Sequence, residues 1–404
     1  MHLSARTLFE TVAALGTLAT LGFYILAAYG IASFLRHTRR PSAGSSPHPF
    51  LPPVTILKPL KGIDPQIWEA FCSHCEQDYS DFQIIFGVDD PNDPAVEVVR
   101  KLQARYPKQK IDLLICPRDL GTNRKLSSLV QMLPAARHEI LIVNDSDIRV
   151  EQDYLRRVVA PLEDPAIGMI TCLYRGIASP SLGSRLEALG ISMDFVPGVL
   201  SARVIERGIH FGLGSTLAFR RSDLHAIGGF EAMLDYLADD YELGYRIAKQ
   251  GKRIELSEVV VETFLPAYSV RQFLDHQLRW ARSVRGSRRW GYSGLLFTFV
   301  LPWALLTLLA AHGATWSWWL LLSAIAVRVA VGLTAATTVM GDTHALRDLF
   351  LLPIRDCLAP IVWAAGLIGN RIVWRGDVFS LKEGRLERVG DEPGAQPEVP
   401  RLSR

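Results

Sequence analysis

The architecture this sequence predicts is an α/β domain with a mostly parallel sheet, held between transmembrane helices. Between Val54 and Asp145, short apolar runs alternate with helical patterns, the order that builds a parallel sheet. Lys58, the pair Asp89-Asp90 and the pair Asp145 and Asp147 fall at the carboxyl ends of those runs, where such sheets bind ligands. The membrane part rests on residues 11–35, TVAALGTLATLGFYILAAYGIASFL, which carry no charge and are long enough to cross a hydrocarbon core of about 30 Å.

The bulk numbers agree. A chain of 404 residues exceeds one ordinary domain. A net charge of +3 gives no case for a nucleic-acid partner. The five cysteines (72, 75, 116, 172 and 357) are odd in number and scattered, which points to a reducing compartment rather than a disulfide framework. Cys72 and Cys75 form a C-x-x-C without companion ligands, read here as one helix face.

A basic cluster, Arg36, His37, Arg39 and Arg40, follows the first span. Positive charge stays in the cytoplasm, so the N-terminus is expected outside and the next domain inside. A Pro/Ser-rich linker, RPSAGSSPHPFLPP, leads to the domain. Then VTILKPL predicts a strand, DPQIWEAFCSHCEQ a helix, FQIIFGVDD a strand and PAVEVVRKLQARYP a helix. KIDLLICP predicts a third strand, KLSSLVQMLPAA a helix and EILIVND a fourth strand. Residues 292–313 and 316–341 are apolar and closely linked, which predicts a membrane hairpin with Trp316, Trp318 and Trp319 at an interface. Arg328 inside the second arm snorkels or faces a polar cleft. The stretch 349–369 is broken by Arg355, Asp356 and two prolines; it either crosses or is re-entrant, and the basic residues after it favour the second.

Two carboxylates at i and i+2 just after a strand, Asp145 and Asp147, can share a hard cation, Mg²⁺ or Mn²⁺, that also takes substrate phosphates. The bland alternative is a polar strand-to-loop junction. Asp239 and Asp240 open a helical pattern, either as N-terminal acids or as a general base for an acceptor hydroxyl. In HQLRWARSVRG and the residues just after it, Arg279 suits a phosphate, while Arg282, Arg285 and Arg288 suit anionic lipid headgroups.

In their order, these motifs resemble the family 2-like inverting glycosyltransferases. More narrowly, they resemble the ceramide glucosyltransferase group, family 21, and its bacterial relatives that glycosylate hopanoids. The resemblance covers roughly residues 54–285 and rests on ILKPLKG followed by DP, GVDDPNDPA, NRKLSSL, DSD, ADDYELG and HQLRW. In the last, His276 stands where glutamine or arginine is usual. The resemblance implies a GT-A, Rossmann-like fold and a UDP-sugar donor. Lys58, Asp90, Asn123 and Lys125 would cradle the nucleotide, Asp145 the donor, and Asp145 with Asp147 the metal. Asp240 would be the base, Asp239 and His276 would line the substrates, and Arg279 and Trp280 would complete the catalytic set. It further implies a lipid acceptor, first a hopanoid polyol receiving N-acetylglucosamine and alternatively ceramide receiving glucose. The expected setting is the inner (plasma) membrane, multi-pass. The segment 181–202 is either an interfacial lipid-receiving element or an ordinary insertion on the sheet. The expected division is an anchor (1–40), a cytoplasmic catalytic domain (41–285), C-terminal membrane helices (286–370) and a basic tail (371–404).

Overall fold

The protein, as a computed structural model, is described over residues 5–38, 50–374 and 377–388. Arg39, Arg40, most of the Pro/Ser-rich linker and the tail from 389 lie outside the described residues. The chain begins with α1 (Ala5–Thr38), which contains the whole uncharged run. Then come β1 (Val54–Pro59), α2 (Ile67–Cys75), β2 (Phe82–Val88), α3 (Ala95–Arg105), β3 (Lys110–Ile115), α4 (Arg124–Met132) and β4 (Ile140–Val143), each on the run that the sequence marks for it. Cys72 and Cys75 are free thiols on α2, a helix face as expected. The second half adds β5 (Ile148–Arg149), α5 (Tyr154–Val159), β6 (Ile167–Ala178), β7 (Leu217–Arg220), and β8 (Arg253–Leu265).

These eight strands form one sheet in the order β3-β2-β1-β4-β7-β6-β8-β5. Pairing is parallel from β3 to β4 and between β6 and β8, with β7 antiparallel to both its neighbours and β5 antiparallel at the edge. Successive side chains of a strand face opposite sides. Ile56 therefore packs with Phe71, Ile84, Phe86 and Val99 on one face, and Leu57 with Ile85, Leu129, Met132 and Val143 on the other. Strands β1, β2 and β4 are buried along their whole length, which is why they read as continuous apolar runs rather than alternating ones.

Between β6 and β7 the insertion is helical: α6 (Leu182–Gly190), one π-helical turn (Ile191–Phe195) and α7 (Val196–Ile205). After β7 come α8 (Arg221–Ala226) and α9 (Asp239–Lys249), and after β8 comes α10 (Val270–Ser287). Helix α10 starts from a capping box in which Ser269 and Gln272 satisfy each other's backbone amides.

The expected first arm of the membrane hairpin is broken. It consists of α11 (Arg289–Gly294), a 3₁₀ turn (Leu295–Thr298) and α12 (Val300–Ala310), bent by 54°. Pro302 explains the break, because its ring cannot share a helix with the carbonyl of Thr298, four residues back. That carbonyl instead accepts the Tyr24 hydroxyl of α1 at 3.3 Å. The second arm, α13 (Thr315–Thr334) with its π turn to Val339, is intact. Residues 344–367 form α14 (His344–Asp348), a 3₁₀ turn and α15 (Leu352–Leu367), with Pro360 inside α15.

Arg328 faces acids, not lipid headgroups. It is 2% exposed, pairs with Asp194, and donates at 2.9 Å to both Asp356 Oδ1 and the Met193 carbonyl. Arg355 donates to the other Asp194 oxygen at 2.5 Å. Two cations thus meet two anions, a balance that makes burial tolerable. The arginines expected to bind headgroups are also committed elsewhere. Arg282 donates to the Ile368 carbonyl at 3.1 Å, and Arg285 to those of Gly366 and Gly369 at 2.6 and 2.9 Å. Arg288 pairs with Glu206. The first two satisfy the orphan carbonyls that every helix C-terminus leaves, here that of α15. The basic tail is folded as far as it is described: β9 (Arg371–Trp374), β10 (Asp377–Lys382) and β11 (Arg385–Arg388) form an antiparallel sheet.

Candidate active site

Strand β4 ends at Val143, and Asn144 to Asp147 make the turn into β5. The Asn144 amide is buried and ties this turn to the Ser215 carbonyl at 2.6 Å and to the Tyr154 hydroxyl at 3.0 Å. Asp145 is held by Lys125, whose amine lies 2.8 Å from Asp145 Oδ1. The same amine lies 3.0 Å from Asp239 Oδ2. One lysine in the first turn of α4 therefore joins the two acidic motifs, although 94 residues separate Asp145 from Asp239.

Asp240 sits beside this bridge. Its Oδ2 accepts the Gly214 amide at 2.8 Å and its Oδ1 the Tyr241 amide at 2.7 Å. Gly214 leaves room for both carboxylates: a Cβ there would stand 2.9 Å from Asp145 Oδ2 and 3.4 Å from Asp240 Oδ2, so Asp145 would have to shift. The turn Gly212-Leu213-Gly214-Ser215 thus lies against both carboxylates. Burial, then the charge of Asp239, pushes the Asp240 carboxyl up to about 6, with Lys125 opposing. Burial alone would depress the Lys125 amine, but Asp145 and Asp239 outweigh it and hold it above the ordinary lysine value. Asp147, which accepts the Thr263 hydroxyl, is also pushed up to about 6, by burial and then by the charge of Asp145.

Lys58 and Asn123 take deeper places than the resemblance implies. Lys58 is fully buried and donates to the Asp145 carbonyl at 2.9 Å, beneath the turn rather than at its surface. Burial lowers its amine to about 7. Asn123, also fully buried, caps α4 by accepting the Leu126 amide at 3.2 Å and donates to the Tyr236 carbonyl at 2.8 Å. Its amide is occupied by the fold. Asp90 is exposed on the loop after β2, at the same sheet edge, and accepts the Asn92 amide at 2.8 Å.

The α10 residues gather against the helical insertion. His276 Nδ1 lies 3.2 Å from Glu187 Oε1, and its ring stacks on Tyr268 with centroids 5.5 Å apart. Trp280 stands 5.2 Å from His276 and 6.1 Å from Phe195 of the π turn. Arg279 is half-buried, and its charge opposes the burial that pushes the Tyr268 hydroxyl up to about 12. Sequence reasoning missed Glu187, which is 1% exposed yet takes both His276 and Gln277. Its signal was that it is one of two acids in the largely apolar stretch 181–202. It also missed Asp64, which accepts the Ser146 hydroxyl. In the sequence Asp64 shows only as the Asp of the DP that follows ILKPLKG and leads into α2.

The model of "Glycosyl transferase family 21" matches this chain over residues 20–387. The chain belongs to that family. Ceramide glucosyltransferase 3 of Caenorhabditis elegans is 23% identical over 364 residues, which cover 83% of this chain and 74% of that protein. The ceramide glucosyltransferase of Candida albicans is 35% identical over 121 residues, 27% of this chain and 22% of its own. Among solved structures, the mannosyltransferase PcManGT from Pyrobaculum calidifontis, in complex with GDP-Man and Mn²⁺, superposes with a TM-score of 0.52 at 21% identity, over 89% of this chain and 96% of that one. The fold of this family 21 glycosyltransferase is thus the GT-A type, with apolar helices added at both ends.

Proposed function

We propose that this family 21 glycosyltransferase moves a hexose, with inversion, from a nucleotide-diphosphate sugar to the hydroxyl of a membrane lipid. The observation that carries the proposal is the Lys125 bridge. It sets the Asp145 turn and the Asp239-Asp240 pair side by side at a sheet edge, next to an apolar helical insertion. Both relatives described above are named ceramide glucosyltransferases, which supports a ceramide-like acceptor and UDP-glucose over the hopanoid polyol and UDP-N-acetylglucosamine placed first by the motif resemblance. The several apolar helices support a membrane setting, proposed here as multi-pass with the catalytic domain in the cytoplasm.

Among the described residues, no three His, Cys, Asp or Glu side chains form a ready-made cation cage. Mg²⁺ and Mn²⁺ seldom need one, since substrate phosphates and water complete their shells. Asp145 and Asp147 fit such an ion: both offer oxygen, and the Asp147 carboxyl is raised by burial and then by negative charge from Asp145 and Asp64, a charge that a cation would relieve. The ion supplies neutralisation of the charge growing on the departing diphosphate. Lys125 holds the two acidic motifs in register. Asp240 takes the proton of the attacking hydroxyl, and its two amide contacts aim the carboxylate. A carboxyl with a value near 6 is ionised at neutral pH and still basic enough to accept. Glu187, His276 and Trp280 shape the acceptor side, next to the π turn.

The test is direct. Membranes holding the protein are given UDP-glucose or UDP-N-acetylglucosamine with ceramide or a hopanoid polyol, and products are identified by mass spectrometry. Glucosylceramide is the expected product. A glycosylated hopanoid instead would reverse the acceptor assignment, and free polysaccharide would refute the lipid reading.

A further inference from the structure

The backbone that carries Asp239 and Asp240 is gripped from two sides. On one side, the Thr122 amide and hydroxyl each donate to Asp235 Oδ1 at 3.1 Å, and Asn123 donates to the Tyr236 carbonyl at 2.8 Å. The other side is made by the C-terminal sheet. The Leu386 amide donates to the Asp235 carbonyl at 2.7 Å, and the Leu237 amide to the Gly384 carbonyl at 3.1 Å. Tyr236 and Arg385 form an antiparallel bridge, with the Arg385 guanidinium 5.0 Å from the Tyr236 ring centre. Leu237 is buried with Ile372, Phe379, Leu381 and Leu386, so the segment contributes a side chain to the core of that sheet.

The same sheet also reaches the nucleotide side. Asp377 lies 3.5 Å from Arg124, the residue before Lys125, and Arg388 pairs with Asp119 on the loop leading to α4. The sheet therefore ties together the two segments whose side chains meet at the Lys125 bridge. A surface tail would need none of these contacts, and a strand added to segment 235–237 restricts its backbone in the way sheet pairing does.

We infer that the three-stranded C-terminal sheet, β9 to β11, is a positioning module of the transfer site, holding segment 235–237 so that Asp240 and the Lys125 bridge keep their register. The inference rests on the reading of Asp240 as the base. Its residues touch no substrate; they act through the segment they hold. The contact most accessible to change is Arg388 with Asp119, since both side chains are nearly half exposed and neither supports a core.

The experiment compares full-length wild type with Arg388→Glu, Asp119→Arg, the double swap and Arg385→Ala in lipid nanodiscs. Hydrogen exchange is read on peptides covering 234–240, together with UDP-glucose affinity and single-turnover transfer. Each single variant is expected to exchange several-fold to about tenfold faster in 234–240, because a local contact sets the local opening. Transfer is expected to fall about three- to tenfold, with donor affinity little changed, because misplacing a reacting group costs rate more than binding. The double swap is expected to restore both. Wild-type exchange in the single variants overturns the inference whether or not transfer is detected. Faster exchange with undiminished transfer also overturns it, since the sheet would then hold the segment without serving the reaction. If wild type transfers nothing while exchange responds as expected, the grip is supported and only the assignment of Asp240 falls.

Discussion

Asp240 and Asp147 are both carboxyls raised by burial, yet they are placed for different work. Asp240 accepts two backbone amides and faces Gly214, while Asp147 accepts a hydroxyl and lies against Asp145. Asp240→Asn keeps size and an accepting oxygen, so it is expected to fold, bind UDP-sugar and lose about 10²–10⁴-fold in single-turnover transfer, the usual cost of removing a general base. The pH profile has a definite sign. A base near 6 must be ionised, so transfer rises with pH, falls about tenfold per unit well below 6 and levels off above about 7. Asp240→Asn should remove its share of that limb and leave only the part that Asp147, also raised to about 6, sets. If Asp239→Asn is inert and Asp240→Asn near normal, the base is the other acid. Asp147→Asn and excess chelator should each weaken donor binding as well as transfer, and full turnover in chelator would remove the cation from the scheme. Asp145 and Asp147 were legible because they close an apolar strand, and Asp240 because its motif follows theirs in the order the resemblance expects. Asn123 was not legible in the same way. Its side chain completes a helix cap and a carbonyl contact, and no short pattern separates that use from a ligand contact.

Asn123 belongs to the next scale, because it joins α4 to the segment before α9. Removing an N-cap side chain costs roughly 1 kcal/mol, and leaving the buried Tyr236 carbonyl without its donor costs about 1–3 more. Asn123→Ala is therefore expected to lower the thermal midpoint by several degrees. Asn123→Asp keeps the cap acceptor but not the donor to Tyr236, and should fall between. Lys125→Ala, two residues further along, should lose transfer with a smaller effect on the midpoint. An Asn123→Ala protein with an unchanged midpoint and lost UDP-sugar affinity would return this residue to the nucleotide. The strands and helices from β1 to β4 were legible for a simple reason. A strand buried on both faces is a short apolar run, and punctuating prolines and acids mark its ends. The insertion α6–α7 and the C-terminal sheet were not. The first mixes small and apolar residues without a helical stripe, and the second is a few alternating residues whose apolar side is completed by Leu237 from far along the chain.

At the scale of the whole molecule, chain continuity limits which apolar helices can cross a bilayer. Residues 182–205 qualify by length and hydropathy, but they leave β6 and return to β7 of the same sheet. One crossing would strand β7 on the wrong side, and residues 206–216, which contain no helix or strand, cannot run back through hydrocarbon with their backbone groups unpaired. That segment therefore does not cross, which leaves an interfacial element or an insertion packed on the sheet, where α6 already lies against β6. The same count applies downstream. The chain leaves the catalytic domain at α10 and returns to it in β9–β11, which pair with segment 235–237, so it must cross an even number of times in between. Three apolar elements are available: the bent α11–α12 pair, α13 and α15. Helix α15 is the one to set aside. Arg282 and Arg285 of α10 hold its C-terminal end, and it carries Arg355 and Asp356 in its first turns. The expected topology is α1 across, α11–α12 and α13 as a hairpin, and α15 along the interface. A membrane-impermeant maleimide checks this on a background without native cysteines. Cysteines placed at Arg118 and Glu383, both exposed, should label from one side, and one at His312, in the exposed α12–α13 turn, from the other. Labelling of positions 118 and 383 from opposite faces would break the parity argument, and with it the inferred role of the C-terminal sheet. Labelling of all three from one face would leave α1 as the single crossing and turn the hairpin into an interfacial element.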